Sequence, residues 1–470
     1  MRNKFLESSF YVLFSNALRL ISKFLVGVVA AKILGPTNFG FYNLIDLVGK
    51  YGPLSTLGVP SGTSREIPLS LGRGSERRAS ELNDTGFTGL LITTGVAAVL
   101  IICGSALFFS GLSLFAISMA SLGLFVNAVY EYHIVYLYSY SQFRRASNVI
   151  SIYSVFLLLL TVSLVLLFDI WGQFFAIFIV PLATILFVYS RKIHRFSISF
   201  DIPLYFHIIK IGLPMLVIGI GYTFLITIDR ILVVKLYDIT SLGYYGLAIM
   251  VFVFSQQVPA AITQVIYPKL NLMFGQSDRI DKLGEIAILP SVLLSIGMPP
   301  LIAVFMYSLP FIVTTFLPAY SNGILSAELI IIPISVFGIN ILNTIFKIGP
   351  IISALIVSIV VKILAAYMFY KFSLGLEGIA IASSVALLLY TVIVTVLSLL
   401  YMSKSKTYII RYSMLYIAVP VLLVTIFFLF INGYIHNPGF LFPPILFYLF
   451  IAYRLFRHHF DWNALLIDLG

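Results

Sequence analysis

Near the start of the chain, two short polar stripes interrupt otherwise apolar runs. The first is Asn16, Arg19 and Lys23, flanked by Ser15 and Ser22; the second is Asn43, Asp46 and Lys50. Each steps by three and then by four residues, so on a helix its members share one face. A charge near the centre of a bilayer costs roughly 2.5–3.5 kcal/mol on insertion scales, so each needs a partner, a hydrated cavity or a ligand. Arg19, Lys23 and Lys50 share one nearby acid, Asp46, which leaves two positive charges uncompensated. Structural ion networks are usually balanced, whereas an unbalanced cationic set suits a multiply charged anion. The expected site is therefore a cationic cavity of Arg19, Lys23 and Lys50, with Asn16 and Asn43 as hydrogen-bonding companions. Asp46 is expected as a charge partner or as the carboxylate of a coupling ion. An Asp46–Lys23 or Asp46–Lys50 pair tying two helices together is the alternative, and it leaves two cations unexplained.

Secondary candidates lie further along. Lys362 falls near the middle of an apolar run. Asn340, Asn343 and Lys347 form another three-four stripe, in which Lys347 is expected to snorkel to the headgroups. Gln256 and Gln257 suit interhelical hydrogen bonds as well as sugar contacts. Asp229 and Arg230 are expected to pair locally, and Glu131 and His133 to be structural, near the inner interface. The run Tyr130, Tyr132, Tyr136, Tyr138 and Tyr140 reads as an aromatic belt that could also line a sugar path. Pro214, Pro259, Pro299-Pro300 and Pro333 are expected to kink their helices.

No Gly-rich phosphate loop, Ser/His/Asp set, metal-ligand cluster or pair of catalytic carboxylates stands out. His458-His459 reads as a membrane-surface feature. The expectation is a non-enzyme with no cofactor and no metal.

The elements that must position these residues follow from composition. Of 470 residues, 60% are hydrophobic and only 10% charged, with mean hydropathy +1.05. No soluble domain can hide that much apolar surface, so a cytosolic enzyme, a disordered chain and a secreted disulfide scaffold are excluded. The single cysteine, Cys103, can form no internal disulfide. The first apolar run carries Arg19 and Lys23 and reads as a retained helix rather than a cleavable signal.

Spans of about 20 apolar residues are expected near 10–33, 39–60, 86–109, 113–139, 149–168, 173–190, 209–234, 243–267, 286–309, 327–346, 350–370, 378–402, 412–431 and 440–456. With the N-terminus inside, 21 of the 29 Lys and Arg residues fall on inner segments, three on outer ones and five within helices. That bias satisfies the positive-inside rule and places both termini in the cytoplasm. It also accounts for the net charge of +11 without any nucleic acid.

A repeat runs through the layout. Lys32, Thr37, Gly40, Tyr42 and Leu44 recur as Lys235, Thr240, Gly243, Tyr245 and Leu247, each 203 positions later. Both segments cover the outer turn after an odd-numbered helix. An offset of six spans preserves orientation, so the repeats are parallel. The expected fold is an all-α polytopic membrane protein of about fourteen transmembrane helices. It would comprise an N-terminal six-helix lobe (1–195), a C-terminal six-helix lobe (196–405) and two further helices with a cytoplasmic tail (406–470). The two lobes would surround a central cavity.

The turn Lys32-Ile-Leu-Gly-Pro-Thr-Asn-Phe-Gly-Phe-Tyr resembles that of the polysaccharide-transporter family. So do the segments from Asp229-Arg230 to Gly243-Tyr244-Tyr245 and from Gly375 through Gly378 to Ala380. That family belongs to the multidrug/oligosaccharidyl-lipid/polysaccharide exporter superfamily, and the resemblance covers essentially the whole chain. It implies a flippase that moves polyprenyl-diphosphate-linked oligosaccharide from the cytoplasmic to the outer leaflet by alternating access. Essential basic residues of related flippases lie on the first two helices, where Arg19, Lys23 and Lys50 stand here. Expected partners are the lipid-linked oligosaccharide, membrane lipids, H+ or Na+ as coupling ion, and polysaccharide-assembly enzymes. The expected location is the cell membrane. Two other readings have weaker claims. A multidrug exporter of this fold would need fewer cations in its cavity, and a polymerase or glycosyltransferase would need a large outer loop or an acidic catalytic motif.

Overall fold

The computed structural model describes residues 2–191, 197–257, 259, 280–339, 341–342 and 347–433. Asn340, Asn343, the span expected at 440–456 and His458-His459 lie outside the described residues. The chain divides into two compact units, residues 3–243 and residues 244–470. Among the described residues there is no β-strand, and eight helices are long and apolar enough to cross a membrane.

In the first unit, α1 (Arg2–Tyr51) holds the span expected at 10–33 and, back to back with it, the part of the span expected at 39–60 that precedes Gly52. They break at Gly35, with φ 68° and ψ 172°. Glycine enters that region without a Cβ clash, and Pro36 then starts the returning arm with its φ already set for a helix. A 3-10 turn (Gly52–Thr56) leads into α2 (Val59–Gly72). The stretch expected as an inner connection is thus partly helical. Next come α3 (Glu76–Ala106) and α4 (Gly111–Ser139), divided at Ser110-Gly111 as the sequence indicates. The helix α5 (Phe143–Ser190) again joins two spans, across a break at Asp169 with φ 53° and ψ −130°. The helix α6 (Ile202–Leu236) is capped by Asp201, whose Oδ1 accepts the Leu204 N–H at 2.8 Å. Val59, Ile67, Leu82, Leu90, Val129, Tyr132, Leu204 and Ile208 form a buried core that locks α2, α3, α4 and α6 together.

The helix α7 (Ile239–Ser255) starts at the edge of the first unit. The second unit continues with α8 (Ile280–Phe316), α9 (Ile324–Ile330), α10 (Ile348–Lys371), α11 (Gly375–Tyr401), α12 (Lys406–Ser413) and α13 (Val419–Ile431). A π-helical turn, Met414–Ala418, joins the last two.

One expectation about helix continuity is corrected. The span expected at 327–346 is not one helix: α9 ends at Ile330, a 3-10 turn covers Ile332–Ser335, and Val336 is extended. Pro333 cannot donate its amide and disfavours helix at the residue before it, and the β-branched isoleucines around it do not restore helix. Pro214 lies inside α6 and Pro299-Pro300 inside α8. Non-helical backbone inside the long helices of the first unit falls at Gly35 and Asp169.

The sequence repeat has a physical counterpart inside the first unit. Thr37 and Thr240 share a hydroxyl–hydroxyl hydrogen bond of 3.0 Å. A methyl on Gly40 would sit 2.0 Å from the Ile239 carbonyl oxygen, and one on Gly243 would sit 1.8 Å from the Pro36 carbonyl oxygen. Pro36 and Ile239 are themselves 203 positions apart. The two turns therefore meet reciprocally, residue for matching residue, as a local two-fold seam. Any Cβ at either glycine would strike the other turn's backbone.

Candidate binding cavity

A cavity of about 670 Å³ opens within the first unit, walled by both arms of α1, the 3-10 turn after them, α4 and α5. Four of its lining residues are ionisable as acid or base: Lys23, Lys50, Asp46 and Glu131. Tyr42, Thr56, Ser61, Asn127, Tyr153, Thr161 and Gln173 add polar atoms to an otherwise apolar wall.

The three-four spacing on α1 brings Lys23, Asp46 and Lys50 to this one cavity from its two antiparallel arms. Asp46 is bound first to Arg230 of α6, whose Nη1 donates to its Oδ2 at 3.1 Å. The same Nη1 also donates to the Asn43 carbonyl at 3.2 Å. Lys50 Nζ stands 4.0 Å from the same Asp46 oxygen. The Arg230 side chain is only 4% exposed, whereas Lys50 is 42% exposed. One carboxylate thus neutralises a buried guanidinium and leaves Lys50 largely in the cavity. Lys23 is exposed to the cavity and makes no hydrogen bond or ion pair among the described residues. Arg19 and Glu131 both lie within its electrostatic reach.

Other candidates are placed differently. Arg19 is not on the cavity wall, and its Nη2 donates to Asn16 Oδ1 at 2.9 Å. Asn16 donates in turn to the Val12 carbonyl, so this pair is held along its own helix. Asn43 is buried and donates to the Phe39 carbonyl, which turns its side chain away from the cavity. In the second unit Lys362 is buried on α10. Gln257 donates to the Val253 carbonyl one turn back. Gln256 stands beside it, half-buried. Lys347 places its ammonium 5.8 Å from the centre of the Tyr401 ring.

Three readings of individual residues are corrected. Arg230 does not pair merely with its neighbour Asp229; it bridges to Asp46, 184 positions away. Glu131, expected to be structural, lines the cavity. The charge count therefore gains one acid and one guanidinium beyond the four residues first considered. Tyr130, Tyr132 and Tyr136 are buried rather than set at a lipid interface. Tyr130 stacks on Tyr153 at 4.5 Å, and Tyr132 donates to the Asn83 carbonyl at 3.0 Å. Alternate residues point in opposed directions on a helix, so a two-step run of tyrosines cannot make one belt. The signal that would have found Glu131 is its spacing of four from Asn127 on α4, the same kind of stripe that marked α1.

The family model described as "Polysaccharide biosynthesis protein" matches residues 29–325. Among curated proteins none matches in sequence. Three solved structures illustrate the likeness in fold. One is an inward-facing multidrug resistance MATE family transporter of the MOP superfamily, at TM-score 0.65 and 16% identity over 86% of this chain and 99% of that one. A mutant of the Vibrio cholerae MATE transporter VcmN gives TM-score 0.63 and 14% identity over 86% and 97%. A MOP superfamily transporter from Pyrococcus furiosus gives TM-score 0.57 and 15% identity over 85% and 95%; its binding pocket is described as of reverse polarity, suggesting a different function.

Proposed function

Since the chain belongs to the polysaccharide biosynthesis protein family and has the MATE-like fold of the MOP superfamily, it is a multi-pass membrane transporter, and we propose that it flips polyprenyl-diphosphate-linked oligosaccharide. Movement would run from the cytoplasmic to the outer leaflet of the cell membrane, with both chain termini in the cytoplasm and polysaccharide-assembly enzymes on either side of the step.

The observation that carries this reading is the state of the two cavity lysines. Lys23 has no ion-pair partner among the described residues, and Lys50 shares Asp46 with the closer Arg230. Both ammonium groups can therefore turn toward a diphosphate. Charge-assisted hydrogen bonds to phosphate oxygens are about twice as strong as neutral ones. The polar wall from Asn127 to Gln173 suits sugar hydroxyls, and the prenyl tail would remain in lipid. With the inside negative, the membrane potential contributes about 2.3 kcal/mol per charge per 100 mV to outward movement of the anion.

The test is head-group translocation in proteoliposomes. A fluorescent polyprenyl-diphosphate sugar is scored by its access to an external quencher. The Lys23→Ala/Lys50→Ala double variant is expected to lose about 100-fold in rate, at about 1.5 kcal/mol for each charged hydrogen bond. Arg19→Ala is expected to lose far less, since Arg19 stands off the wall. Transport equal to wild type in the double variant would remove the anion site from this cavity. Efflux of cationic dyes in place of lipid-linked sugar would move the protein to drug export.

A further inference from the structure

Two neutral polar residues of the cavity wall, Thr161 and Gln173, are nearly sealed, at 2% and 3% exposure. Among the described residues, Thr161 Oγ1 and Gln173 Oε1 make no hydrogen bond. A buried threonine on a helix can donate to the carbonyl one turn back. Thr94, Thr184 and Thr227 do so, at 2.6, 2.9 and 2.7 Å. Thr161 does not, so its donor is unspent. The two residues stand on opposite arms of α5, either side of the break at Asp169. The arms touch beside them: a Cβ on Gly172, next to Gln173, would strike the carbonyl oxygen of Leu164, one turn from Thr161. Leu157 lies one turn from Thr161 and Ile177 one turn from Gln173, and both also line the cavity. One hairpin thus brings a donor, an acceptor and an apolar strip to the same wall.

Resting on the flippase reading above, we propose that Thr161 and Gln173 form a subsite for a neutral secondary amide, the acetamido group of an N-acetylated sugar carried on the diphosphate. A buried polar atom without a partner costs free energy that a complementary ligand recovers. The amide oxygen of Gln173 only accepts, so it needs an N–H or O–H. The Thr161 hydroxyl has a proton to give, so it needs an acceptor. An acetamido group supplies both at once, and its methyl suits the strip of Leu157 and Ile177. A carboxylate brings acceptors alone and would be repelled by the Gln173 oxygen. An ammonium brings donors alone and leaves the Thr161 proton unused. Either charge would also be costly to desolvate in an uncharged recess. A sugar hydroxyl brings one proton and no methyl, so it satisfies less of the wall. Threonine populates two χ1 wells in a helix, and rotation between them turns the hydroxyl toward a ligand. The lysines hold the charge of the ligand, and this hairpin reads the sugar attached to it.

The experiment measures binding to the full-length protein in nanodiscs, with radiolabelled farnesyl-diphosphate-N-acetylglucosamine and farnesyl-diphosphate-glucose as probes. The two probes differ in a single substituent, acetamido against hydroxyl. Wild type is expected to prefer the first by about 25-fold, about fivefold for each of two neutral hydrogen bonds. The Thr161→Val/Gln173→Leu double variant should bring the ratio close to one and bind the glucose probe as wild type does. Thr161→Ser keeps the hydroxyl and should keep the preference. Equal affinities in wild type, or a preference that survives the double variant, would overturn the amide subsite and leave the flippase reading intact. If the double variant does not fold, Thr161→Val alone decides, since valine has the shape of threonine: a ratio reduced about fivefold supports the subsite, and an unchanged ratio overturns it. Failure of wild type to bind either probe, or undiminished binding by Lys23→Ala/Lys50→Ala, would instead overturn the anion site and take the subsite with it.

Discussion

Where Gly40 meets the Ile239 carbonyl there is no room for one methyl group; at Gly49, nine residues further along the same helix, nothing lies within 4 Å of an added Cβ. The first position belongs to the seam between the two repeat-related turns. The second is on the cavity wall. The seam is close-packed, short of charge and built from residues that occur twice in the chain. The cavity is open and charged, and its key groups have no match 203 positions later: Lys23, Asp46 and Lys50 fall against Ile226, Ile249 and Val253. The contrast teaches a division of labour. What the repeat preserves is mechanical, and what the first repeat alone carries is the cavity's charge.

The sharpest way to break this comparison is at the glycines. Gly243→Ala drives a Cβ to 1.8 Å from a backbone oxygen, which cannot swing aside as a side chain would. Overpacking of this kind costs about 3 kcal/mol or more when the neighbour is backbone. Gly40→Ala should behave alike by symmetry. Gly49→Ala should be neutral or add about 0.5 kcal/mol, because alanine favours helix and the space is open. Thermal unfolding in one detergent reads all three. A Gly49→Ala loss as large as that of Gly243→Ala would dissolve the distinction between seam and wall.

Asp46 sharpens the comparison from the other side, as the one cavity charge that also holds the fold. Asp46→Asn leaves a 4% exposed guanidinium without its counter-charge. Breaking buried pairs costs about 3–5 kcal/mol; with the Asp46 side chain itself 31% exposed, about 2 kcal/mol is expected. Adding Arg230→Gln should recover most of that loss. If the double variant is no better than the single one, the bridge is not the source of the cost.

Lys23→Met should separate function from fold. Lys23 has no ion pair to lose among the described residues, so unfolding should shift by less than about 0.5 kcal/mol while translocation falls. A large destabilisation would show Lys23 to be a structural charge, and the reading of the cavity as a ligand site would lose its main support.

How far these features were legible from sequence depends on the range of the interaction. The Gly35-Pro36 turn, the break at Gly111 and the α1 stripes are local signals, set by backbone freedom and by spacings of three and four. The two-turn seam was half legible: matched residues marked both turns, but only coordinates show Thr37 on Thr240 and Gly40 on Ile239. Arg230 was missed because Asp229 beside it offered an easier partner, and adjacency outweighs a contact 184 positions away until the helices are placed. Glu131 was missed because one acid in an aromatic run looks like an interface residue. Its cavity position depends on how α4 is rotated by its core of Val129 and Tyr132. Asn43 and Asn16 erred the opposite way. Their helical phase suited the site, but each side chain bonds back to its own helix, a local competitor that phase alone cannot reveal.

The smallest expected effect lies at the rim of the seam. Asp238 precedes α7, and its Oδ1 accepts the Ser241 N–H at 2.6 Å. This backbone hydrogen bond, with further ones from the Ser241 side chain and the Thr240 N–H, holds its carboxyl below the ordinary range. The cap is exposed, so Asp238→Ala should cost only about 0.5 kcal/mol, the low end for lost N-caps. The sign with pH is fixed by the direction of the shift. The folded state favours the charged form, so the cap's contribution is complete above the ordinary value near pH 4 and disappears as pH falls through the lower folded value. The gap in unfolding temperature between wild type and Asp238→Ala should therefore be constant from neutral pH to about pH 5 and close below about pH 3. A gap that widens on acidification would mean that the carboxylate is repelled rather than held at this turn. The start of α7, and the seam that depends on it, would then need a different anchor.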